Sequence, residues 1–405
     1  MNWTPQDIKQ FTARHTSASK VSSELMTFRR GIPKIQLERA ATLSDGITAL
    51  KPREERIFKE YFEERQSQYE AVKFVPASGA ATRMFKPLLA FLEASKTTDF
   101  SFGPYLQAHT QVSDFIKEAH KFPFHKMVLA QLPADFSFES ASSVIDYLKI
   151  LLEAPGLDFG GKPKALLPFH LQEGREVLVI EEHMREALSY AVKAGVARLH
   201  FTVSEVHIPA FEKALEQINA SAVFEGKGTF DISFSHQHLH TDTLVVSPDL
   251  HPFRDAQGQL LFHPAGHGAL LENLGALTAD LVFIKNVDNV GAATGLEEQL
   301  HYKKVLGGKL LDVQEQLYAY ARALDEEVLE QEDLEFMATY YQETFGVSLP
   351  AYYEEIPLEE QIGYLKDTFN RPLRVCGMVE NEGKTGGGPF WIKDALGTES
   401  LQIVE

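Results

Sequence analysis

The residues best suited to chemistry begin at FVPASGAATRMFKP, positions 74 to 87. An apolar run of strand type, Ala71 to Val75, breaks into the small residues Ser78, Gly79, Ala80 and Ala81 and then into Thr82 and Arg83. Small side chains let backbone N–H groups approach phosphate oxygens closely, and a guanidinium is a planar fork of donors that suits phosphate. A tight strand-to-helix turn carrying a solvated arginine would have the same residues, and on this stretch alone the two readings balance. Asp288 stands at the carboxyl end of the apolar run Asp280 to Asn286. A hard oxygen ligand there can hold Mg2+ with waters and substrate phosphates, whereas the plainer reading is a solvated strand-end carboxylate. Gly266 and Gly268 bracket His267 two residues after Pro264, which suits a backbone lying flat against a base or, more simply, a turn before a helix.

Three further patterns compete with these. His236, His238 and His240 alternate as on one strand face, at roughly 6 to 7 Å per step, and such a pair could supply two zinc ligands, with His263 and His267 nearby in sequence. GMVENEGKT, 377 to 385, resembles a P-loop, but five residues rather than four separate Gly377 from Gly383, and GGGP follows where a helix should begin. We reject it as a Walker motif and keep a phosphate- or sugar-contacting loop as its alternative. Cys376 lies in an apolar run and is expected to be packed rather than reactive.

Elements must position these residues. Residues 1 to 70 are polar with helical spacing at Ile57, Tyr61 and Phe62 and contain no strand-like run, so they predict a helical N-terminal extension. Strand 71 to 76 and helix 86 to 96 open an α/β core that runs to 293. A Phe-rich helical insertion occupies about 97 to 160, punctuated by Pro104, Pro123 and Pro133. Helix 181 to 193, strand 198 to 204, helix 207 to 218, strand 230 to 236, a hairpin over 243 to 262, helix 268 to 275 and strand 280 to 286 continue the alternation, which implies a largely parallel sheet covered on both faces. A helical subdomain is expected over 294 to 370, and strands at 371 to 379 and 400 to 404 are expected to return to the core.

The 405 residues carry 39 Lys and Arg against 57 Asp and Glu, a formal charge of -18, which argues against nucleic acid or anionic membrane as partners. An anionic ligand therefore needs a local pocket. The single cysteine excludes an internal disulfide, no window reaches eighteen apolar residues, and the N-terminus lacks an apolar leader, so a soluble cytoplasmic protein is expected. The chain ends on the apolar SLQIVE, with no cap or polar tail, and we expect it to be cut short there.

A second stretch, GKPKALLPFH at 161 to 170, gives these pieces a family resemblance. SGAATRM with Lys86-Pro87, followed by Lys162-Pro163-Lys164-Ala165-Leu166-Leu167-Pro168, resembles the Gly-rich loop and lysine segments of the sugar nucleotidyltransferases, or nucleotide-diphospho-sugar pyrophosphorylases. FTVSEVH (201 to 207), FSHQHLHTDTL (234 to 244), HPAGHGALLENL (263 to 274) and FIKNVDNV (283 to 290) continue the likeness in order, most closely to the uridylyl-transferring branch. More narrowly, the chain resembles an uncharacterised bacterial family of that superfamily, whose members run on past this C-terminus.

The resemblance implies a Rossmann-like three-layer fold with a mixed, mostly parallel sheet of the nucleotide-diphospho-sugar transferase type. It implies Mg2+-dependent transfer of a nucleotidyl group, with UTP favoured, to a sugar 1-phosphate with release of pyrophosphate. In that reading the backbone of Ser78, Gly79, Ala80, Ala81 and Thr82, with Arg83, faces the β- and γ-phosphates, and Lys164 faces the α-phosphate. Lys86 is a second cation, Asp288 holds Mg2+, and Gln237, Gly266, His267 and Gly268 face the base. Lys164 is then expected beside the Gly79 to Arg83 backbone, bordering one cleft with Arg83 and facing Asp288 across it. Ser78 and Ala81 replace the family's first and third glycines, and a Cβ at position 81 would hinder close approach of a triphosphate. A nucleotide-binding protein without turnover and a metal-dependent hydrolase built on His236, His238 and His240 are the rival readings.

Overall fold

The computed structural model describes residues 3–79, 81–291, 293–326, 328–380, 387–394 and 397–404, apart from the side chains of 293 and 294. The chain is mixed α/β and divides into two units, Met1–Met26 with Gln66–Glu297 and Thr27–Arg65 with Glu298–Glu405. Among the described residues no helix is long and apolar enough to cross a membrane.

The first unit is built on a five-stranded mixed sheet. Its strands are β1 (Ala71–Pro76), β2 (Val192–Lys193), β3 (Val196–Thr202), β4 (Thr229–Ser235) and β5 (Leu281–Ile284). β5 pairs parallel with β1, β1 parallel with β3, and β3 parallel with β4, while the short β2 folds back antiparallel on β3. β1 is buried over its first five residues, so its apolar run is continuous rather than alternating. The helix after it, Lys86–Ala94, starts with Pro at its first turn and buries Leu88, Phe91 and Leu92 at helical spacing. Those side chains join Val144, Tyr147, Leu148 and Leu151 in the core of the insertion, whose helices span Phe102–Ala108 to Ala141–Leu152.

The helix Val179–Ala187 buries Glu181, Glu182, His183 and Glu186 as well as its apolar residues. Burial of so many polar groups is tolerated only when each finds partners. Glu181 pairs with Arg175 at 2.6 Å and Arg185 at 3.0 Å, Glu182 with His170 at 2.7 Å, and Glu186 with Lys73 at 2.8 Å and Lys285 at 2.5 Å.

The N-terminal helices Pro5–Ala13 and Ala18–Arg30 do not form a free extension over their first part. Phe11, Val21 and Leu25 pack with Leu244 and Leu260, and Arg254 clamps Asp7 through both carboxylate oxygens at 2.8 and 3.0 Å. The expected hairpin is present as the antiparallel pair Thr243–Leu244 and Phe262–His263, continued by bridges Val246 to Pro252 and Arg254 to Leu260.

In the second unit, the helix Pro52–Arg65 meets residues 298–326 of the helix Ala293–Glu326 so closely that a Cβ on Gly308 would stand 1.8 Å from the Phe58 carbonyl oxygen. Leu317, Tyr320, Leu334, Tyr341 and Phe369 fill its helical core. Four expectations are corrected here. Gln36–Ala40, expected to be helical, is a strand paired antiparallel with Gly388–Lys393, which pairs in turn with Glu399–Val404. These C-terminal strands thus form their own sheet rather than extending the parallel one. Residues 371 to 379 form no strand, and Cys376 is exposed.

Candidate functional site

The parallel strands deliver four loops to one edge. At the carboxyl ends, the Ala77 N–H donates to the Thr202 carbonyl at 2.8 Å, Val203 to Ser235 at 2.8 Å, and Lys285 to Phe74 at 3.1 Å. Residues 77–79 with 81–83, 203–207, 236–242 and 285–291 therefore emerge side by side, the topological position at which open α/β sheets take ligands.

The first of these loops is stitched to the distant GKPK segment. Lys164 donates its backbone N–H to the Gly79 carbonyl at 3.4 Å, and Ala81 donates to the Lys162 carbonyl at 3.2 Å. Ser78 and Gly79 are exposed, and an added Cβ on Gly79 would meet nothing within 4 Å. Ala81 has its methyl group fully buried among Phe85, Leu88 and their neighbours. The side chain at position 81 thus points into the core. Ala80 lies outside the described residues.

Lys164 Nζ forms a direct ion pair with Asp288, so these two groups touch rather than face one another across a cleft. Beneath Asp288 lies a buried set of polar groups with no counterpart in the sequence reading. Glu186 bridges Lys73, in the middle of β1, and Lys285, just after β5, and also accepts from the Tyr190 hydroxyl at 3.2 Å. Burial pushes the Glu186 carboxyl up, but the charges and hydrogen bonds of Lys73 and Lys285 outweigh it and hold the group at about 2. His183, one turn earlier, donates from Nε2 to the Val287 carbonyl at 3.0 Å and so fixes the residue next to Asp288. Burial, with the nearby Lys73 charge, keeps this imidazole well below its ordinary range and neutral. Its Nδ1 has no partner among the described residues. The one sequence signal for this set was Lys73 itself, a lysine inside AVKFV.

The segments expected to face a base also come together. Asn273 donates to Ser235 Oγ at 2.8 Å and the His236 carbonyl at 2.9 Å, joining the helix after Gly266, His267 and Gly268 to the end of β4. Gln237 donates to Asp242 at 3.1 Å, and Arg14 holds the same carboxylate at 2.8 Å. The three histidines do not share a strand face: β4 ends at Ser235, a 3-10 turn covers Leu239–Thr241, and His240 pairs with Glu272 at 2.7 Å. Among the described residues no group of three or more His, Cys, Asp or Glu could hold a metal ion. The GMVENEGKT loop lies largely outside the described residues, from 381 on.

Arg83 and Lys86 are exposed, and neither has an ion-pair partner among the described residues. Arg83 lines a separate pocket of about 680 Å³ toward the insertion, to which Lys164 and Asp288 do not contribute.

The model of the domain of unknown function DUF4301 matches residues 4–405. The chain belongs to that family. No curated protein matches it. Because the DUF4301 match runs through both units, the insertion and the C-terminal strands are parts of the family's domain rather than additions to it.

Proposed function

We propose that this DUF4301 protein is a nucleotidyltransferase that joins a nucleoside triphosphate, with UTP favoured, to a sugar 1-phosphate and releases pyrophosphate. The observation that carries this reading is the meeting of three distant segments at the carboxyl edge: the Gly79 to Ala81 backbone, the Lys162 to Lys164 backbone, and the Lys164 to Asp288 ion pair. A phosphate cradle needs backbone donors, a cation and a metal-binding carboxylate at one place, because an acidic chain offers no general attraction for an anion. The order of parallel strands, β5-β1-β3-β4, supports a Rossmann-like sheet of the sugar-nucleotide transferase type. At about 4.8 Å per strand its edge spans roughly 14 Å from β5 to β4, enough for a nucleotide to lie from Asp288 toward the Gln237 and Gly266 segments.

In this reading the sugar 1-phosphate oxygen attacks the α-phosphorus, the bond to the β-phosphate oxygen breaks, and pyrophosphate leaves. The nucleophile is already an anion at neutral pH, so alignment and charge neutralisation suffice and no general base is required. Asp288 suits Mg2+: it is a single exposed carboxylate, and Mg2+ is commonly held by one or two carboxylates plus substrate phosphates rather than by an all-protein cage. Bound there, the ion would neutralise phosphate charge. Lys164 would move from the carboxylate to the α-phosphate, and the Gly79 loop would donate N–H groups to the outer phosphates. Lys86, in the first turn of a helix that lacks acidic residues there, adds positive charge beside the helix N-terminus. Arg83, which lines the separate pocket, is left out of the triphosphate site.

The test is pyrophosphate exchange. The protein, Mg2+, UDP-glucose or another UDP-sugar and labelled pyrophosphate should yield labelled UTP. Nucleotide binding without any exchange across a panel of sugars would instead establish a binding protein that has lost turnover.

A further inference from the structure

Arg83, the helix Thr110–Glu118, the aromatic run 122–124 and the strand start at 167–170 enclose the pocket of about 680 Å³. That volume is typical of a site for a compact organic molecule. Its walls are largely apolar, with Phe115, Phe122, Phe124 and Phe169 among them. Four groups on the walls carry or can carry charge, and three already have partners. Asp114 pairs with Lys117 at 3.7 Å, Glu118 with Lys121 at 2.8 Å, and His170 with the buried Glu182 at 2.7 Å. Arg83 alone has no partner among the described residues.

We propose that this pocket binds an aromatic acid, its ring body among the phenylalanines and its carboxylate or phosphate on Arg83. An aromatic wall without a free charge would take any apolar molecule, but an unpaired guanidinium selects a planar oxyanion by paired hydrogen bonds and stacks on aromatic faces besides. His170, held by Glu182 through Nδ1, has Nε2 left as a second polar contact.

The proposal is tested by calorimetric titration of the full chain, without nucleotide or Mg2+, with four probes that share one ring system: 2-naphthoate, 2-naphthyl phosphate, 2-naphthalenemethanol and 2-naphthylmethylammonium. At least one acid should bind one per chain, and the tighter acid identifies the head group. The alcohol should bind roughly tenfold more weakly, the scale of one charge-assisted pair, and the ammonium more weakly still. Arg83→Gln should bring the acids down to the affinity of the alcohol, while Phe122→Ala weakens acids and alcohol alike. Ammonium binding as tight as that of the acids, or acid binding unchanged in R83Q, would overturn the assignment, as would the absence of saturable binding by either acid. An R83Q protein that loses nucleotide binding yet keeps naphthoate binding would place the guanidinium at the triphosphate instead. Because no nucleotide is present, these titrations succeed or fail independently of the transferase reading.

Discussion

Lys164 ties two distant segments together, through a backbone contact to Gly79 and a side-chain ion pair with Asp288. The sequence placed Lys164 near Gly79 across a long insertion because a triphosphate needs convergent cations, and the backbone contact at 3.4 Å has that proximity. The direct pairing with Asp288 was not legible, since nothing in residue types tells which opposite charges meet when no ligand separates them. We expect Lys164→Ala to weaken Mg-UTP binding at least tenfold, on the scale of a lost charge-assisted contact. Stability should change by no more than about 0.5 kcal/mol, because both partners are solvent-accessible. Asp288→Asn should abolish Mg2+-dependent exchange while leaving the urea midpoint unmoved, and a D288N protein with full activity would remove this carboxylate from the site. Ala81 gives a sharper comparison. Its type suggested an obstructed loop, but its methyl group is in the core. Restoring glycine with A81G should therefore cost about 1 to 2 kcal/mol in urea unfolding, from the lost buried methyl and the freer unfolded chain, and bring no gain in UTP affinity. A large gain in affinity would mean that the methyl group does face the ligand.

The elements that hold the site are tied together by charge as much as by apolar packing. β1, the helix Val179–Ala187 and the segment after β5 meet at Lys73, Glu186 and Lys285. Removing the charge of the carboxylate that both ammonium groups share breaks a buried ion pair, so Glu186→Gln should destabilise the protein by about 3 to 5 kcal/mol. The pH dependence has a definite sign. The Glu186 carboxyl, ordinarily near 4.5, is held at about 2 when folded, so its contribution is complete above 4.5 and is lost as pH falls from there toward 2. Urea midpoints of wild type and E186Q should differ at pH 7 and converge on acidification toward pH 3; a gap that stays constant would contradict the assignment. At this scale β1 and β5 were readable from their continuous apolar runs, whereas β4 alternates apolar and polar residues. The strand Gln36–Ala40 was not readable, because all five residues are exposed and its partner lies some 350 positions away, so neither periodicity nor neighbours mark it. RPLRVCGMV failed in the opposite direction: it has strand-like composition but pairs with no strand among the described residues, and composition alone does not supply a ladder.

For the molecule as a whole, the order of segments is legible in the sequence but not which of them associate. Residues 1–70 read as one helical extension, yet they divide between the two units, with Met1–Met26 in the unit of the parallel strands and Thr27–Arg65 in the unit that holds Glu298–Glu405. Such partition depends on contacts between segments hundreds of positions apart, which local patterns do not encode. The family match likewise identifies the whole chain without supplying an activity, so base preference must come from ligand binding. With Mg2+, UTP at 100 times its dissociation constant should raise stability by about 2.7 kcal/mol and exceed ATP at equal concentration; equal thermal shifts with every nucleoside triphosphate would mean that the Gly266 to Gly268 segment reads no base. If the proposed site is right, the Lys164 to Asp288 contact would also make the protein a coincidence detector. Mg2+ alone would have to evict an ammonium and then sit beside it, and nucleotide alone would have to evict a carboxylate and then face it. Only the two together exchange both partners with charges matched, so each should raise affinity for the other by the same factor, as linkage requires. Lys164→Ala should break that logic in opposite directions, with Mg2+ alone binding more tightly than to wild type and UTP binding less tightly.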